Sequence, residues 1–378
     1  MIRVKERPED FFVRELKKLR FTERGRYAYF LLRKRNMTTL DALRRVADVL
    51  EVDVGRIGYA GFKDRRALTE QFISVEGLGN PRSFEEEDLS LTFLGFGEEP
   101  IRIGELEGNY FELTVRGVHR SDSYVEEKLA FVRRFGFENY FGEQRFGSVK
   151  HAEEFVVRYL IRGDYEGALR EYLTSLGDRR LRRALLKSWG RWREFLRLMP
   201  QDSRVEREAV EVLLRGGSFR DAFLSLPRHV RLMFSFAYQS YLWNRYLNTF
   251  IVRYFRHCSV PFLGGRLSFI TEVNEGVFEE IRDLEIPFLG VEFEPENRKI
   301  ALIVRQILAE EGLDEEVLNT ERGGLKLFSD GLRRAFVFPS DLKLLERGRG
   351  YLRLSFTLPP GSYATVLIRK ILCSPLKV

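Results

Sequence analysis

The chain is poor in cysteine and histidine and has no long apolar run, and each shortage closes a class of function. Its two cysteines, Cys258 and Cys373, cannot build the disulfide framework of a small secreted domain. Far apart and isolated along the chain, they match no zinc-ligand spacing either. They read as reduced thiols in a cytoplasmic protein. Four histidines, His119, His151, His229 and His257, are scattered without ligand spacing and read as incidental. No stretch approaches the roughly 18 apolar residues of a membrane span, and the charged MIRVKERPEDFF start lacks a signal-peptide core. No repeat or low-complexity tract is present. Gly58 and Gly61 lack the GK[ST] ending that a phosphate loop requires.

What the chain has is charge. Lys and Arg number 63 against 56 Asp and Glu, for a net charge of +7. The excess is local: between Arg179 and Arg197 stand Arg180, Arg182, Arg183, Lys187, Arg191 and Arg193, with Glu194 as the one acid and Trp189 and Trp192 among them. Cations interleaved with aromatics suit a phosphate backbone. The same run also reads as the solvated face of an amphipathic helix.

Hydrophobic periodicity predicts a mixed chain. Residues 1–35 read as strands, two short ones broken at Pro8, where a ladder donor is missing, and one around Tyr27–Leu31. Thr38 or Thr39 caps a helix to about Leu50, with Leu40, Leu43, Val46, Val49 and Leu50 at helical spacing. A strand ends at Val75, a polar loop spans 80–88, and strands fill 89–116 around a turn at 104–108. Ser121 or Asp122 starts a helix to Phe135. Residues 152–250 read as mostly helical, ending in a long aromatic helix near 229–250 whose stripe packs in a core. Residues 260–310 read as short strands and turns. The end returns to strand and closes with a helix in SYATVLIRKIL.

Two dense motifs stand out. In GYAGFKDRRALTEQ, Asp64 sits beside Lys63, Arg65 and Arg66 on a glycine-punctuated turn before a strand. Neighbouring cations favour an ionised carboxylate, which can serve as nucleophile or anionic stabiliser; the plain alternative is a surface turn with solvated ion pairs. The second, GFENYFGEQRFG, is a shaped loop between glycines.

The first motif resembles the signature of the TruD family of tRNA pseudouridine synthases, G-Y-A-G-x-K-D-[RK]-x-A-x-T-x-Q. Further blocks are similar to that family: VKERPEDFFVREL, with Lys5, Asp10, Phe11 and Glu15 matching, the K-x-x-x-T-T stretch in LLRKRNMTTLDAL, NYFGEQRFG, AYQSYLWN and LPPGSYATVLIRKIL. They run from about residue 3 to 372, with the middle loosely matched. The chain departs from the pattern at His151, at IPFLG, and at Lys370, where the family carries an acid.

The resemblance implies an α+β pseudouridine synthase fold with a largely antiparallel sheet and flanking helices. The catalytic domain would come from residues 1–150 and 336–378, with an inserted α/β TRUD domain at 151–335, the two gripping tRNA in a cleft. It implies isomerisation of uridine to pseudouridine, at position 13 of tRNA, with Asp64 as the catalytic residue acting at ribose C1′. The uridine must leave its stack. Phe141 is then the aromatic platform, Asn139 a hydrogen-bonding partner near the nucleophile or the uracil edge, and Lys5 and Lys63 nearby charges, or else surface lysines. Arg65, Arg145, Arg182 and Arg183 are candidate RNA contacts; Arg145 and Gln144 read equally as structural, and Tyr363 as active-site floor or core. The chemistry calls for no metal and no cofactor. tRNA is the expected partner, without a membrane, and a monomer is favoured. Two readings compete: a catalytically silent RNA-binding module on the same fold, and a carboxylate-dependent glycosidase, which would need a second acid such as Glu70 or Asp10.

Overall fold

The computed structural model describes residues 2–149, 154–263, 265–289, 295 and 297–377. The chain divides into two compact units, residues 1–139 with 336–378, and residues 140–335. The first unit is thus made from both chain ends. The junction expected at 150/151, and His151 with it, lies outside the described residues.

The first unit is built on one large sheet. Its strands neighbour one another in the order Ser340–Gly348, Tyr351–Leu358, Gly108–Arg116, Phe11–Leu16, Leu68–Glu76, Tyr27–Arg35, Leu89–Gly97 and Phe84–Glu85. All of these pairings are antiparallel except one: Phe11–Leu16 runs parallel to Leu68–Glu76, with Phe12 opposite Leu68. Alternation explains the burial. Along Tyr27–Arg35, the even positions Ala28, Phe30 and Leu32 join Ala42, Leu43, Val46, Ala47 and Leu50 of the helix Thr39–Leu50 in one core, and Tyr29, on the opposite face, packs with Ala60 and Ile101. Thr38 caps that helix, its hydroxyl accepting from the Asp41 amide at 3.1 Å. Leu40, expected on the apolar face, is exposed.

The hairpin that carries Asp64 is fixed by close packing. Ile57–Tyr59 pairs antiparallel with the end of Leu68–Glu76, Tyr59 opposite Ile73, and the loop 60–67 joins them. Gly58 has no room for a side chain, since a Cβ there would lie 2.4 Å from the Ile101 carbonyl oxygen. The helices Asp122–Phe135 and Ala364–Leu372 pack on each other, and every residue of the second is buried.

The second unit is mainly helical. Its long helix, Arg228–Tyr254, buries Phe234, Tyr238, Leu242, Trp243, Tyr246, Phe250 and Ile251, the stripe its spacing predicts. Shorter helices precede it, and the hairpin Arg256–Phe262 with Gly265–Glu272 follows. The expectation of strands and turns throughout 260–310 is corrected at Arg298–Glu311, which is a helix. Its signals are local ones: Asn297 accepts from the amides of Lys299 and Ile300, and Gly312 closes the end in the left-handed region.

Lys370, the departure from the family's acidic residue, is explained by its surroundings. Its ammonium lies 3.1 Å from Glu138 Oε1 with both side chains buried, and 4.8 Å from the centre of the Phe131 ring. Burial pushes the lysine pKa down while Glu138 opposes the shift. Removing one partner of a buried pair strands the other charge and typically costs about 3–5 kcal/mol. Glu138→Ala is therefore expected to lower the denaturant midpoint by that order of stability, whereas Glu138→Leu combined with Lys370→Met recovers most of the loss. A single variant as stable as wild type would contradict the pairing.

Candidate active site

Asp64 stands on the loop between the strands Ile57–Tyr59 and Leu68–Glu76. Its side chain retains 18% exposure, and its Oδ1 lies 2.6 Å from the Lys5 ammonium. Lys5 is buried and sits over the Phe11 ring at 4.2 Å. Its backbone holds φ +62°, a left-handed conformation that a lysine adopts at a cost of about 1–3 kcal/mol. The chain accepts that strain where it brings an ammonium to a carboxylate 59 residues away.

The loop is held from several sides. Lys63 Nζ lies 2.5 Å from Glu15 Oε2, with side-chain exposures of 6% and 0%. Glu15 Oε1 also accepts from the Phe72 amide at 3.3 Å. Gln71 donates to the Gly61 carbonyl at 3.2 Å, Thr39 Oγ1 accepts from the Lys63 amide at 3.0 Å, and Lys34 Nζ donates to the Asp64 carbonyl at 2.8 Å. The Lys63 charge, expected near the nucleophile or at the surface, is paired with Glu15 inside the fold. Phe62, Arg65 and Arg66 remain exposed on the same loop.

Of the acids considered as a second carboxylate, Asp10 is gripped by Arg116 at 2.6 and 2.9 Å, and Glu70 is held by Arg14 at 2.6 Å. The buried acid beside Lys63 is Glu15. It was visible in the sequence only as a matching position, and its strand neighbour in space was not. Asn139 is buried in the same unit as Asp64. Tyr363 is half-buried at the start of the helix Ala364–Leu372.

In the second unit, two motifs that lie 100 residues apart meet. Asn244 of the long helix receives the Phe141 amide on its Oδ1 at 2.8 Å and donates to the Phe141 carbonyl at 3.0 Å. The Phe141 ring packs edge-on to Trp243 at 5.6 Å and near Phe288 at 5.7 Å, with the Arg333 guanidinium 4.0 Å from its centre. Trp243 donates to the Ile286 carbonyl at 3.1 Å, and Gln239 to the Ser329 carbonyl at 2.8 Å. Tyr140 donates to the Ser268 carbonyl at 2.8 Å. Arg145 donates to Ser240 Oγ at 3.0 Å and lies over the Phe236 and Phe141 rings. Gln144 is exposed.

The basic segment resolves into the helices Arg179–Lys187 and Trp192–Leu198. Arg182, expected as an RNA contact, is buried and donates to Glu171 at 2.9 Å and to Thr174 at 3.1 Å. Arg179, Arg180 and Arg183 are exposed. Trp189 and Trp192 are occupied with each other, Phe195 and Phe219 at ring separations of 5.0–6.2 Å. His119, His229 and His257 are exposed and far apart in sequence. Among the described residues, no group of three or more His, Cys, Asp or Glu side chains is placed to hold a metal ion.

A solved structure is similar in fold: the putative tRNA pseudouridine synthase D of Methanosarcina mazei, 25% identical, with a TM-score of 0.70, covering 98% of this chain and 93% of that one. The fold is the α+β fold of the pseudouridine synthases. Residues 1–371 match the family model described as tRNA pseudouridine synthase D (TruD). The tRNA pseudouridine synthase D of Aquifex aeolicus is 53% identical over 100% of this chain and 99% of its own length. A probable tRNA pseudouridine synthase D 2 of Methanocaldococcus jannaschii is 31% identical, covering 98% and 91%. The chain belongs to the tRNA pseudouridine synthase D family, isomerases that act on tRNA.

The double hydrogen bond from Asn244 to Phe141 is the tie that holds the NYFG segment to the long helix. Asn244→Ala leaves both main-chain groups of Phe141 without that partner in a buried place, at a cost of about 1–3 kcal/mol. Faster hydrogen exchange at the Phe141 amide is the expected result. Unchanged protection there would show that the tie is dispensable.

Proposed function

We propose that the chain converts uridine to pseudouridine at position 13 of tRNA, with Asp64 acting at ribose C1′. The observation that carries this reading is a partly exposed carboxylate bonded to a buried ammonium, on a loop whose main chain is held at successive residues. Isomerisation breaks the bond from uracil N1 to C1′, turns the base, joins C5 to C1′ and releases the C5 proton. Its atoms balance without a redox partner or an activated water. As the glycosidic bond breaks, positive charge grows at C1′, and an anionic oxygen set beforehand at that point stabilises it or attacks it. Lys5 fixes the orientation of that carboxylate.

Both C1′ and C5 are covered in a stacked strand, so the target nucleotide is extruded first. In this reading Phe141 receives the base. Its ring is immobilised by Trp243, Phe288 and the Asn244 tie, so little entropy is lost on contact. Asn139 supplies a hydrogen bond near the uracil edge. Arg65 and Arg183 are the exposed cations offered to phosphates; Arg145 and Arg182 are engaged within the fold and serve it instead. A tRNA substrate locates the protein in the cytoplasm, and among the described residues no helix is long and apolar enough to cross a membrane. A monomer suffices for this chemistry.

The test is release of tritium from C5-labelled uridine in a tRNA transcript, since joining at C5 displaces that hydrogen while hydrolysis or binding does not. Wild type is expected to release it, and Asp64→Asn to release none while still binding tRNA. Activity in Asp64→Asn would sink the assignment, and binding without release by wild type would favour a silent RNA-binding module. Phe141→Ala is expected to lower kcat/KM by about ten- to a hundredfold, the worth of one stacked base, with Phe141→Tyr restoring most of it. Equal activity in Phe141→Ala would remove that residue from the site.

A further inference from the structure

The stretch Lys34–Thr39 is the K-x-x-x-T-T motif, for which the chemistry above has no use. The alternation Ala28, Phe30, Leu32, Lys34 puts a lysine on the sheet face that otherwise forms the apolar core against the helix Thr39–Leu50. Lys34 has no solvent exposure. Its ammonium donates to two main-chain carbonyls, those of Met37 and Asp64, each at 2.8 Å. At the other end of the motif, Thr39 Oγ1 accepts from the Lys63 amide at 3.0 Å. The two ends therefore hold adjacent residues of one loop, Thr39 at the amide of Lys63 and Lys34 at the carbonyl of Asp64. A leucine at position 34 would pack the same face without the cost of a buried charge, so the lysine answers a need other than packing.

We propose that Lys34 is a positioning residue for the isomerisation: its buried ammonium fixes the main chain of Asp64, and holds it more firmly charged than neutral because charge-assisted hydrogen bonds are stronger. The inference rests on the reading of Asp64 as the catalytic carboxylate. A carboxylate displaced by an ångström loses its alignment with C1′, and such misplacement costs about a hundredfold in rate. Burial holds the Lys34 pKa down at about 8, with the Asp64 charge raising it and the Lys63 charge lowering it. Those are the charged groups whose field reaches it from the loop. Its register partners on the flanking strands, Thr69 and Leu89, are neutral, as is Thr39 at the start of the helix, and Lys5 meets Asp64 at the side chain. The sign follows from the lowered value: keeping Lys34 charged costs the fold stability at all pH below about 8, and that cost fades as pH rises toward the ordinary lysine value. The charged form is thus present at neutral pH and lost on the alkaline side, which weakens the loop anchor to neutral hydrogen bonds.

The experiment is single-turnover tritium release from C5-labelled tRNA by the full chain between about pH 6 and 9, spanning the lowered Lys34 value of about 8, with tRNA binding measured in parallel. Wild type, Lys34→Met, Lys34→Arg and Asp64→Asn are compared. Wild type is expected to lose rate as pH rises through 8. Lys34→Met should be slower by about ten- to a hundredfold at saturating tRNA, with tRNA affinity held and the alkaline decline gone. In Lys34→Arg, whose guanidinium stays charged, the decline moves to higher pH. A Lys34→Met rate equal to wild type overturns the proposal. So does a loss in which rate, tRNA binding and melting temperature fall together while the pH profile keeps its shape. A wild-type profile flat across pH 8 overturns it even if neither lysine variant folds. An active Asp64→Asn instead overturns the reading of Asp64, whereas an inactive Asp64→Asn beside an unimpaired Lys34→Met overturns the role of Lys34 alone.

Discussion

A carboxylate that is mostly withdrawn from water must be compensated where it stands, and the Lys5–Asp64 pair does this. The pair is also what makes the carboxylate directional. An exposed aspartate samples rotamers and is hydrated, whereas one bonded at 2.6 Å to an ammonium that is itself buried over Phe11 is set in place. The strained backbone of Lys5 is tolerated for the same reason: no unstrained residue at that point of the chain delivers a cation to the loop. Buried pairs contribute little net stability once desolvation is counted, so their value here lies in geometry.

Around that pair the first unit repeats one device. Lys63 reaches Glu15, Lys34 reaches two carbonyls, and Gln71 and Thr39 take the Gly61 carbonyl and the Lys63 amide of the loop. Each of these four side chains reaches the core with a partner in place, as the cost of burying an unpaired group demands. The loop 60–67 consequently behaves as an extension of the sheet. The second unit uses the same device with different parts. Its long helix presents Gln239, Ser240, Trp243 and Asn244 on one side, and each bonds to a backbone or side-chain group of the surrounding segments. Phe141 and Arg145 of the NYFGEQRF segment are tied to that helix and are not free to sweep through solvent.

Much of this was legible in the linear chain. Capping and periodicity announced the helices Thr39–Leu50, Asp122–Phe135 and Arg228–Tyr254, because the signals for these elements lie within one or two turns of each other. The resemblance around Asp64 and NYFG announced the family. The helix Arg298–Glu311 was misread although Asn297 and Gly312 mark both of its ends: IALIVRQIL is apolar enough to pass for buried strand, and the caps outweigh composition there. The site residues split along the same line. Asp64 was legible because it stands inside a dense motif, although the ammonium that pairs with it comes from Lys5, 59 residues away. Glu15, Lys34 and Gln71 were not singled out, since their partners are brought in from other strands by sheet pairing.

The sequence by itself determined the type of most elements, the pattern that buries one face of each strand, and the membership of the chain in its family, because all of these depend on local spacing or on whole motifs. Only the tertiary structure decided which charges are spent and which are available. Lys63 and Arg182 look in the sequence like Arg65 and Arg183, basic residues in basic runs. The fold turns the first two inward onto Glu15 and Glu171 and leaves the other two in water. The physical reason is that a buried ion pair requires two side chains from distant positions to arrive together, which the folded core enforces and no stretch of sequence contains.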